Sequence, residues 1–596
     1  MSFFKVFFAS VLGFFVSLTL IVLLAIGTIA AIVASVDREQ QVDVEAASVL
    51  VLDLSKDFPE YRTSEGLREL AGGRASITAR EVIAALEEAA GDSRIAGLRI
   101  EASGRPGSWA IAEELRRGVE SFRSRGKFVI ATVGHGGVSE GGYFVASAAE
   151  SIIAVPGASI EMNGIAAVLP FFTPALDRLG IDAQVVRAGS FKSAVEPFIL
   201  DSASAETQAM TRELVTSTFS RFRSVVAPAR KLSADQLSGI LSTRGLMTAH
   251  EAQSAGLLDA VLYEDQIDSV LRARTKREAD DDIETISIAE YATAALDGET
   301  SGPTTDAIAL VYAVGEIRAG RSSSGGGVIA GGNILGDETF AEAMKTARES
   351  KTVKAVVVRI DSPGGEAGPS EAMWREIRLT AAEKPVIASM GSVAASGGYF
   401  MAAACDSIVA EATTVTGSIG VFGLWFTIRE FLNETIGVNV QVIRSDSLAD
   451  MGSMLRAPTA LEQAILQRTV DTVYRKFLTI VSEGRGITLA QADSIGQGRV
   501  YTGARARELK LVDEIGGLGR AIEMAAARAG LEPDGYRLRV LPRRRSFLES
   551  FSEMFDETSV MAMLGWQTDP LAAIRSELDG RTGVQMLGPL VRVGVE

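Results

Sequence analysis

The sequence predicts an α/β protein: two tandem copies of one domain, led by an apolar N-terminal segment. Three observations carry that prediction. A long stretch of the first half recurs in the second at a near-constant offset, each half alternates short apolar β-rich runs with helical stretches, and one early run of 31 residues holds no charge. At 596 residues the chain is also too long for a single ordinary core.

The uncharged run extends from Val6 to Val36. A bilayer core needs only about 20 helical residues, so the run predicts a transmembrane helix inside an N-terminal anchor of residues 1–46. Lys5 precedes the span, whereas Asp37, Glu39, Asp43 and Glu45 follow it. The positive-inside rule then leaves the short N-terminus in the cytoplasm and exports the rest. In a bacterium that describes a single-pass inner-membrane protein with its domains in the periplasm. Small residues around Ala30–Ala34 leave signal-peptide cleavage as the alternative.

The two copies are read as residues 47–275 and 306–541. GGYFVASAAESIIAVPGASIEMNGI (Gly141–Ile165) aligns without a gap on GGYFMAAACDSIVAEATTVTGSIGV (Gly397–Val421), an offset of 256. KFVIATVG (Lys127–Gly134) matches KPVIASMG (Lys384–Gly391), and LGIDAQVVRAGSFK (Leu179–Lys192) matches IGVNVQVIRSDSLA (Ile436–Ala449). LMTAHEAQSAGLLD (Leu246–Asp259) matches VYTGARARELKLVD (Val500–Asp513). Solenoid repeats have periods of about 20–50 residues, so this offset means that a whole domain was duplicated. In the second copy, residues 307–314, 355–360, 385–390 and 407–411 read as buried strands, with helices over 338–350 and 371–383. That alternation implies βαβ crossovers and largely parallel sheets. The acidic, turn-rich stretch 276–305 reads as a linker. The tail, 542–596, holds an amphipathic stretch suited to docking on a subunit or membrane, or to a plain solvated helix.

Composition narrows the chemistry. A net charge of −16 argues against nucleic acid as a partner. The single cysteine, Cys405, excludes an intrachain disulfide and any cysteine-cluster metal site, and its apolar surroundings suit a buried structural thiol. With only two histidines, His135 and His250, the usual base of a hydrolase is scarce.

Duplicated domains diverge where the chemistry sits. At the entry to the Gly-Gly-Tyr helix the second copy has Ser396 where the first has Glu140. A serine there can be a nucleophile beside the unpaired N–H groups of a helix N-terminus, or an ordinary N-cap. RIDSPGGEAG (Arg359–Gly368) puts a Pro-Gly-Gly turn after a strand, where backbone can approach a ligand; the first copy's RIEASGRPG (Arg99–Gly107) lacks it. Neither histidine has a histidine counterpart in the other copy, which leaves lysine as the base type for a serine nucleophile. The first copy carries Lys192 in GSFKSAVEPF, and the second carries Ala449 at the matching place. One copy keeps the serine and the other the lysine, as expected for one site built across both. An exposed lysine, with a pKa of about 10.4, is neutral in only about one molecule in a few thousand at pH 7. Burial among Phe191, Ala194, Val195 and Phe198 would supply a usable base, and Ser418 in the TGSIG turn could orient it. On the surface Lys192 would be an ordinary solvated side chain.

Taken together, these motifs resemble the signal peptide peptidase A family in its long, duplicated form. The resemblance covers nearly the whole chain. It implies two tandem domains of the Clp/crotonase-like superfamily, built from spiral ββα units. It implies Ser396 as nucleophile, Lys192 as general base and Ser418 as the residue that orients the lysine. The loop containing Gly364 and Gly365 would join Gly397 in binding substrate, with the Gly365 and Gly397 N–H groups as the oxyanion hole. It further implies a serine peptidase that degrades cleaved signal peptides and other extended apolar peptides. The enzyme would be a membrane-bound homo-oligomer, a tetramer, enclosing its sites, with no metal and no cofactor. Two rivals remain at this level: a crotonase-type enzyme acting on acyl-CoA thioesters, and an inactive scaffold for a membrane complex.

Overall fold

The computed structural model describes residues 44–61, 76–104, 106–278, 281–296, 305–323, 333–533 and 535–543, together with backbone strands at 583–587 and 592–593. The expected membrane span lies outside those residues. Among the described residues no helix is long and apolar enough to cross a membrane.

In the first repeat, β1 (Ser48–Asp53), β2 (Ile95–Glu101), β3 (Phe128–Val133) and β4 (Ser151–Ala154) are followed by β5 (Asp182–Ala188), β6 (Ala260–Val261) and β7 (Thr285–Ser287). All but β5 form one parallel sheet in the order β7-β1-β2-β3-β4-β6. All six residues of β3, FVIATV, are buried, as expected for a parallel strand covered on both faces. Helices α1 (Ala79–Gly91) and α2 (Trp109–Ser124) pack together beside it. A capping box of Thr78 and Glu81 starts α1, and the Ser108 hydroxyl accepts from Ile111 N–H to start α2.

The second repeat repeats that plan. Its strands are β8 (Ala307–Val314), β9 (Glu316–Arg318), β10 (Ile334–Gly336), β11 (Val353–Ser362), β12 (Gly364–Glu366), β13 (Val386–Ala395), β14 (Ser407–Ala410), β15 (Val415–Gly417), β16 (Val421–Thr427), β17 (Val500–Thr502), β18 (Glu514–Ile515) and β19 (Arg537–Leu541). The parallel series β19-β8-β11-β13-β14-β18 matches β7-β1-β2-β3-β4-β6 strand for strand. Single hydrogen bonds are copied too. Tyr143 Oη donates to Leu257 O at 2.6 Å and Tyr399 Oη to Leu511 O at 2.8 Å. The Asp259 and Asp513 carboxylates each accept from a strand N–H, Ile152 and Ile408 respectively, at 2.7 Å. The expected helices at 338–350 and 371–383 are found over Asp337–Glu349 and Ala367–Ala381.

Three features depart from expectation. Part of the stretch read as a linker belongs to the first repeat: β7 pairs with β1, and the helix Ile288–Leu296 packs on α1. Its acidic composition hid a three-residue strand, TIS, with one buried side chain. The second departure is β5, which leaves its own repeat and pairs antiparallel with β16, from Asp182↔Thr427 to Ala188↔Val421. The matching segment of the second repeat forms no strand, and Ile443 there is 91% exposed. Third, the tail contributes β20 (Gly583–Leu587), so that a second sheet runs β10-β9-β12-β20-β16-β5. The tail's amphipathic stretch lies outside the described residues.

A buried ionic cluster ties the repeats together. Arg359 on β11 donates to both Glu60 carboxylate oxygens at 2.6 and 2.9 Å and lies 2.9 Å from a Glu114 oxygen on α2. It also donates to Ser389 Oγ and Met390 O on β13. Burial pushes the Glu114 carboxyl up, and the flanking carboxylates hold the Arg359 guanidinium protonated. Removing one partner of such a cluster strands the others. Arg359→Ala should lower the free energy of urea unfolding by about 3–5 kcal/mol at pH 7. The loss should shrink as the pH is lowered, because burial raises the Glu114 carboxyl and an orphaned Glu114 takes up a proton.

Candidate active site

Ser396 follows directly on β13, which pairs with β14 through Ile387–Met390 and then with β15 through Val393–Ala395. The Ser396 N–H donates to Gly417 O on β15 at 2.8 Å, and its carbonyl accepts from Phe400 N–H to open the helix Gly397–Ala402. Held between strand and helix, Ser396 adopts φ 53° and ψ −112°, a left-handed backbone that a serine rarely occupies. That conformation makes the turn sharp and leaves no side-chain cap bond. The reading as an ordinary N-cap is therefore set aside.

Lys192 reaches the serine from the first repeat. It follows the arm β5 at the start of the turn Ser193–Val195 and is 0% exposed. Its Nζ lies 2.7 Å from Ser396 Oγ, 3.1 Å from Ser418 Oγ and 3.2 Å from Ser418 O. The alternative of a solvated surface lysine is thus excluded. Burial holds the ammonium far below the ordinary lysine range, and among the described residues no carboxylate pairs with it. Ala194 and Val195 bury against Phe422 and Leu424 of β16, with Phe198 packed on the same cluster, while Phe191 packs on Met210, Leu214 and Val500. Ser418 also has a left-handed backbone, φ 51°, and stands three residues before β16.

One segment that sequence reasoning missed joins these loops. Gln497 O accepts from Phe191 N–H at 2.7 Å, Gly498 N–H donates to Ile419 O at 2.7 Å, and Arg499 O accepts from Ser418 N–H at 2.7 Å. The Arg499 guanidinium stacks over the Phe191 ring, 4.0 Å from its centroid. Gly498 has φ 78°, and a Cβ there would lie 2.6 Å from both Lys192 Cα and Lys192 N. Gly498→Ala should therefore displace the lysine and lower kcat by about 10²-fold with KM little changed. The only signal available in the sequence was the glycine pair Gly496 and Gly498 before Val500.

The glycine loop stands against the serine turn. A Cβ on Gly397 would lie 3.2 Å from Gly364 Cα and 2.5 Å from Ser370 Oγ, and one on Gly365 would meet Ile317 O at 2.0 Å. Neither position has room for a side chain. Gly364, at φ 100°, turns its own N–H onto Ser362 Oγ at 3.2 Å, so its part is close backbone approach.

The corresponding place in the first repeat is closed. Glu140 is 1% exposed, and its carboxylate accepts from Gly164 N–H at 2.7 Å. Cys405 is buried and unpaired, and burial pushes its thiol up. Among the described residues no cluster of His, Cys, Asp and Glu side chains could hold a metal ion.

Residues 121–278 and 378–532, one segment in each repeat, match peptidase family S49. The chain belongs to peptidase family S49. This S49 chain is a serine protease with two tandem domains of mixed α/β structure. It is 34% identical over 447 residues to a chloroplastic serine protease SPPA of Arabidopsis thaliana, covering 74% of this chain and 64% of that one. It is 32% identical over 498 residues to Protease 4 of Haemophilus influenzae, covering 81% and 78% of the two chains. Protease 4 of Salmonella typhi is 32% identical over 514 residues, covering 82% and 79%.

Proposed function

We propose that this S49 chain is a membrane-anchored endopeptidase that degrades cleaved signal peptides and other extended apolar peptides through a Ser396–Lys192 dyad. The observation that carries the reading is the 2.7 Å approach of a fully buried amine to the serine hydroxyl. A neutral amine has one lone pair and two N–H groups. Ser396 Oγ–H donates to the lone pair, and Ser418 O and Oγ accept the two N–H groups, so the three neighbours match its valence.

The chemistry follows. Lys192 takes the hydroxyl proton as Ser396 Oγ attacks the substrate carbonyl carbon. The developing oxyanion meets the Gly365 and Gly397 N–H groups. The Lys192 ammonium then passes its proton to the leaving amine, and the peptide bond breaks to leave an acyl-serine. Water enters, gives a proton to Lys192, and attacks the ester. The released acid and the restored hydroxyl complete the cycle. The two domains are of the Clp/crotonase-like, spiral ββα kind, on family likeness. The substrate class is supported by the name of one relative, a putative signal peptide peptidase SppA of Enterococcus faecium.

The enzyme acts as a homo-oligomer, a tetramer on family likeness, anchored by residues 6–36 in a bacterial inner membrane with its domains in the periplasm. Assembly is supported by duplication. Arm β5 has a strand partner within the chain, whereas Val438, Val442 and Ile443, on the matching arm of the second repeat, are exposed. A neighbouring copy's first repeat would offer that arm the surface that β16 offers β5. Ile443→Asp should then lower the mass measured by light scattering toward that of one chain.

Detergent-solubilised protein should hydrolyse a synthetic signal peptide and leave a folded protein of similar length intact. Failure to cut the peptide, or equal cutting of both, overturns the substrate assignment.

A further inference from the structure

The chemistry needs two pieces of backbone in fixed relation: the glycine loop that follows β11 and the serine turn that follows β13. These parallel strands do not keep one register. Between Ile360↔Met390 and Ser362↔Ala394, β13 advances four residues while β11 advances two. A bulge of this kind leaves backbone groups without ladder partners and re-aims the chain beyond it. Asp361 stands opposite the bulge. Its backbone stays in the sheet, paired with Val314 of β8 and accepting from Gly315 N–H at 3.0 Å. Its Oδ1 accepts from Val393 N–H at 2.9 Å, and the Ser392 N–H faces the same carboxylate. Gly364 comes three residues after Asp361, and Ser396 comes three after Val393. One side-chain bond therefore joins the segment that leads to the glycine loop to the segment that leads to the nucleophile. The bulge is gripped from the other side as well. A Cβ on Gly391 would lie 3.0 Å from both Asp361 Cβ and a Glu60 oxygen, and Gly391 O accepts from Thr414 Oγ1 at 2.8 Å. Ser392 Oγ donates to Ser108 Oγ, the N-cap of α2 in the first repeat, at 2.5 Å.

We propose that Asp361 is a positioning residue of the peptidase, whose side-chain acceptor sets the spacing between the glycine loop and Ser396 where the strand ladder does not. The proposal rests on the peptidase reading above. The attacking oxygen and the oxyanion donors must meet one carbonyl group, and a misplacement of about 1 Å costs about 10²-fold in rate. That cost falls on the transition state, so kcat suffers more than KM. The role asks for an acceptor in one place rather than for a charge. Burial, reinforced by the Glu60 carboxylate, pushes the Asp361 carboxyl up to about 7, against the pull of the Val393 and Ser392 N–H groups and the Arg359 guanidinium. Near neutrality the acceptor is thus uncharged in a large share of molecules.

The test compares Asp361→Asn, which keeps the acceptor and loses the charge, with Asp361→Glu, which keeps the charge and displaces the acceptor, and with Asp361→Ala, which has neither. Rates on an apolar fluorogenic peptide are taken per folded molecule, with folding measured by circular dichroism. The alanine and glutamate variants should lose about 10- to 10²-fold in kcat, with KM within about threefold of the parent, and asparagine should stay within about threefold in both. Amide exchange over residues 391–397 should rise by at least about tenfold in the alanine variant and not in the asparagine variant. Asparagine as slow as alanine, or alanine at the parent rate, overturns the proposal. If the alanine variant does not fold, the asparagine and glutamate variants decide alone, and a fast glutamate beside a slow asparagine overturns it. A parent protein that hydrolyses nothing and leaves Ser396 unlabelled by a fluorophosphonate overturns the peptidase reading instead. Exchange then decides whether Asp361 fixes the turn, and equal exchange in the parent and alanine proteins overturns that.

Discussion

Ser396→Ala should reduce hydrolysis of an apolar fluorogenic peptide by at least about 10⁴-fold, to the level left by binding and oxyanion contacts alone. The fold should survive, because the hydroxyl makes one side-chain contact, to Lys192, and alanine keeps the backbone that sets the turn. Stability should change little, since a left-handed alanine is about as strained as a left-handed serine. KM should stay within a few-fold, as the glycine loop and the strand edges are untouched. Turnover within tenfold of the parent protein would remove Ser396 from the chemistry.

Lys192→Met should be nearly as severe for catalysis, with kcat lower by at least about 10³-fold, yet it should make the protein more stable at pH 7. The sign follows from linkage. Burial lowers the lysine's native pKa, so between that value and about 10.4 the unfolded chain binds a proton that the native chain does not. Stability therefore rises with pH across that window, and the neutral amine is a liability at pH 7 that methionine removes. The gain in thermal midpoint from Lys192→Met should be absent at about pH 10.5, grow steadily as the pH falls from there, and level off below the lysine's lowered native pKa. A variant less stable than the parent at pH 7 would mean that the lysine is buried charged.

Much of this site was legible in the sequence because duplication supplies an internal control. Glu140 against Ser396, and Ala449 against Lys192, pointed to a serine and a lysine kept in different copies, and their side chains meet in the fold. The strands of the second repeat were legible for another reason: buried parallel strands read as continuous apolar runs, as in AIALVYAV, found over Ala307–Val314. The rest depends on pairings that no local pattern encodes. TIS at 285–287 is too short to show periodicity and becomes a strand only because β1 offers an edge. VVRA and VIRS are near twins, yet only the first is a strand, because it pairs with the edge of β16. Arg359 looked like part of a motif and proved to be the buried bolt between repeats. Gly498 escaped notice because its role, leaving room for the Lys192 backbone, belongs to a contact 306 residues away in sequence, from 192 to 498.

The measurement closest to the central claim is the pH dependence of Ser396 acylation by a fluorophosphonate, mapped by mass spectrometry, in the parent protein and in Lys192→Met. An un-ionised amine acting on one hydroxyl predicts a single labelled residue, Ser396, whose labelling rate falls on the acid side as Lys192 takes up a proton. It also predicts that this acid limb and most of the rate are lost in the variant. Label on a different residue, or the same rate and the same pH profile without the lysine, would contradict it.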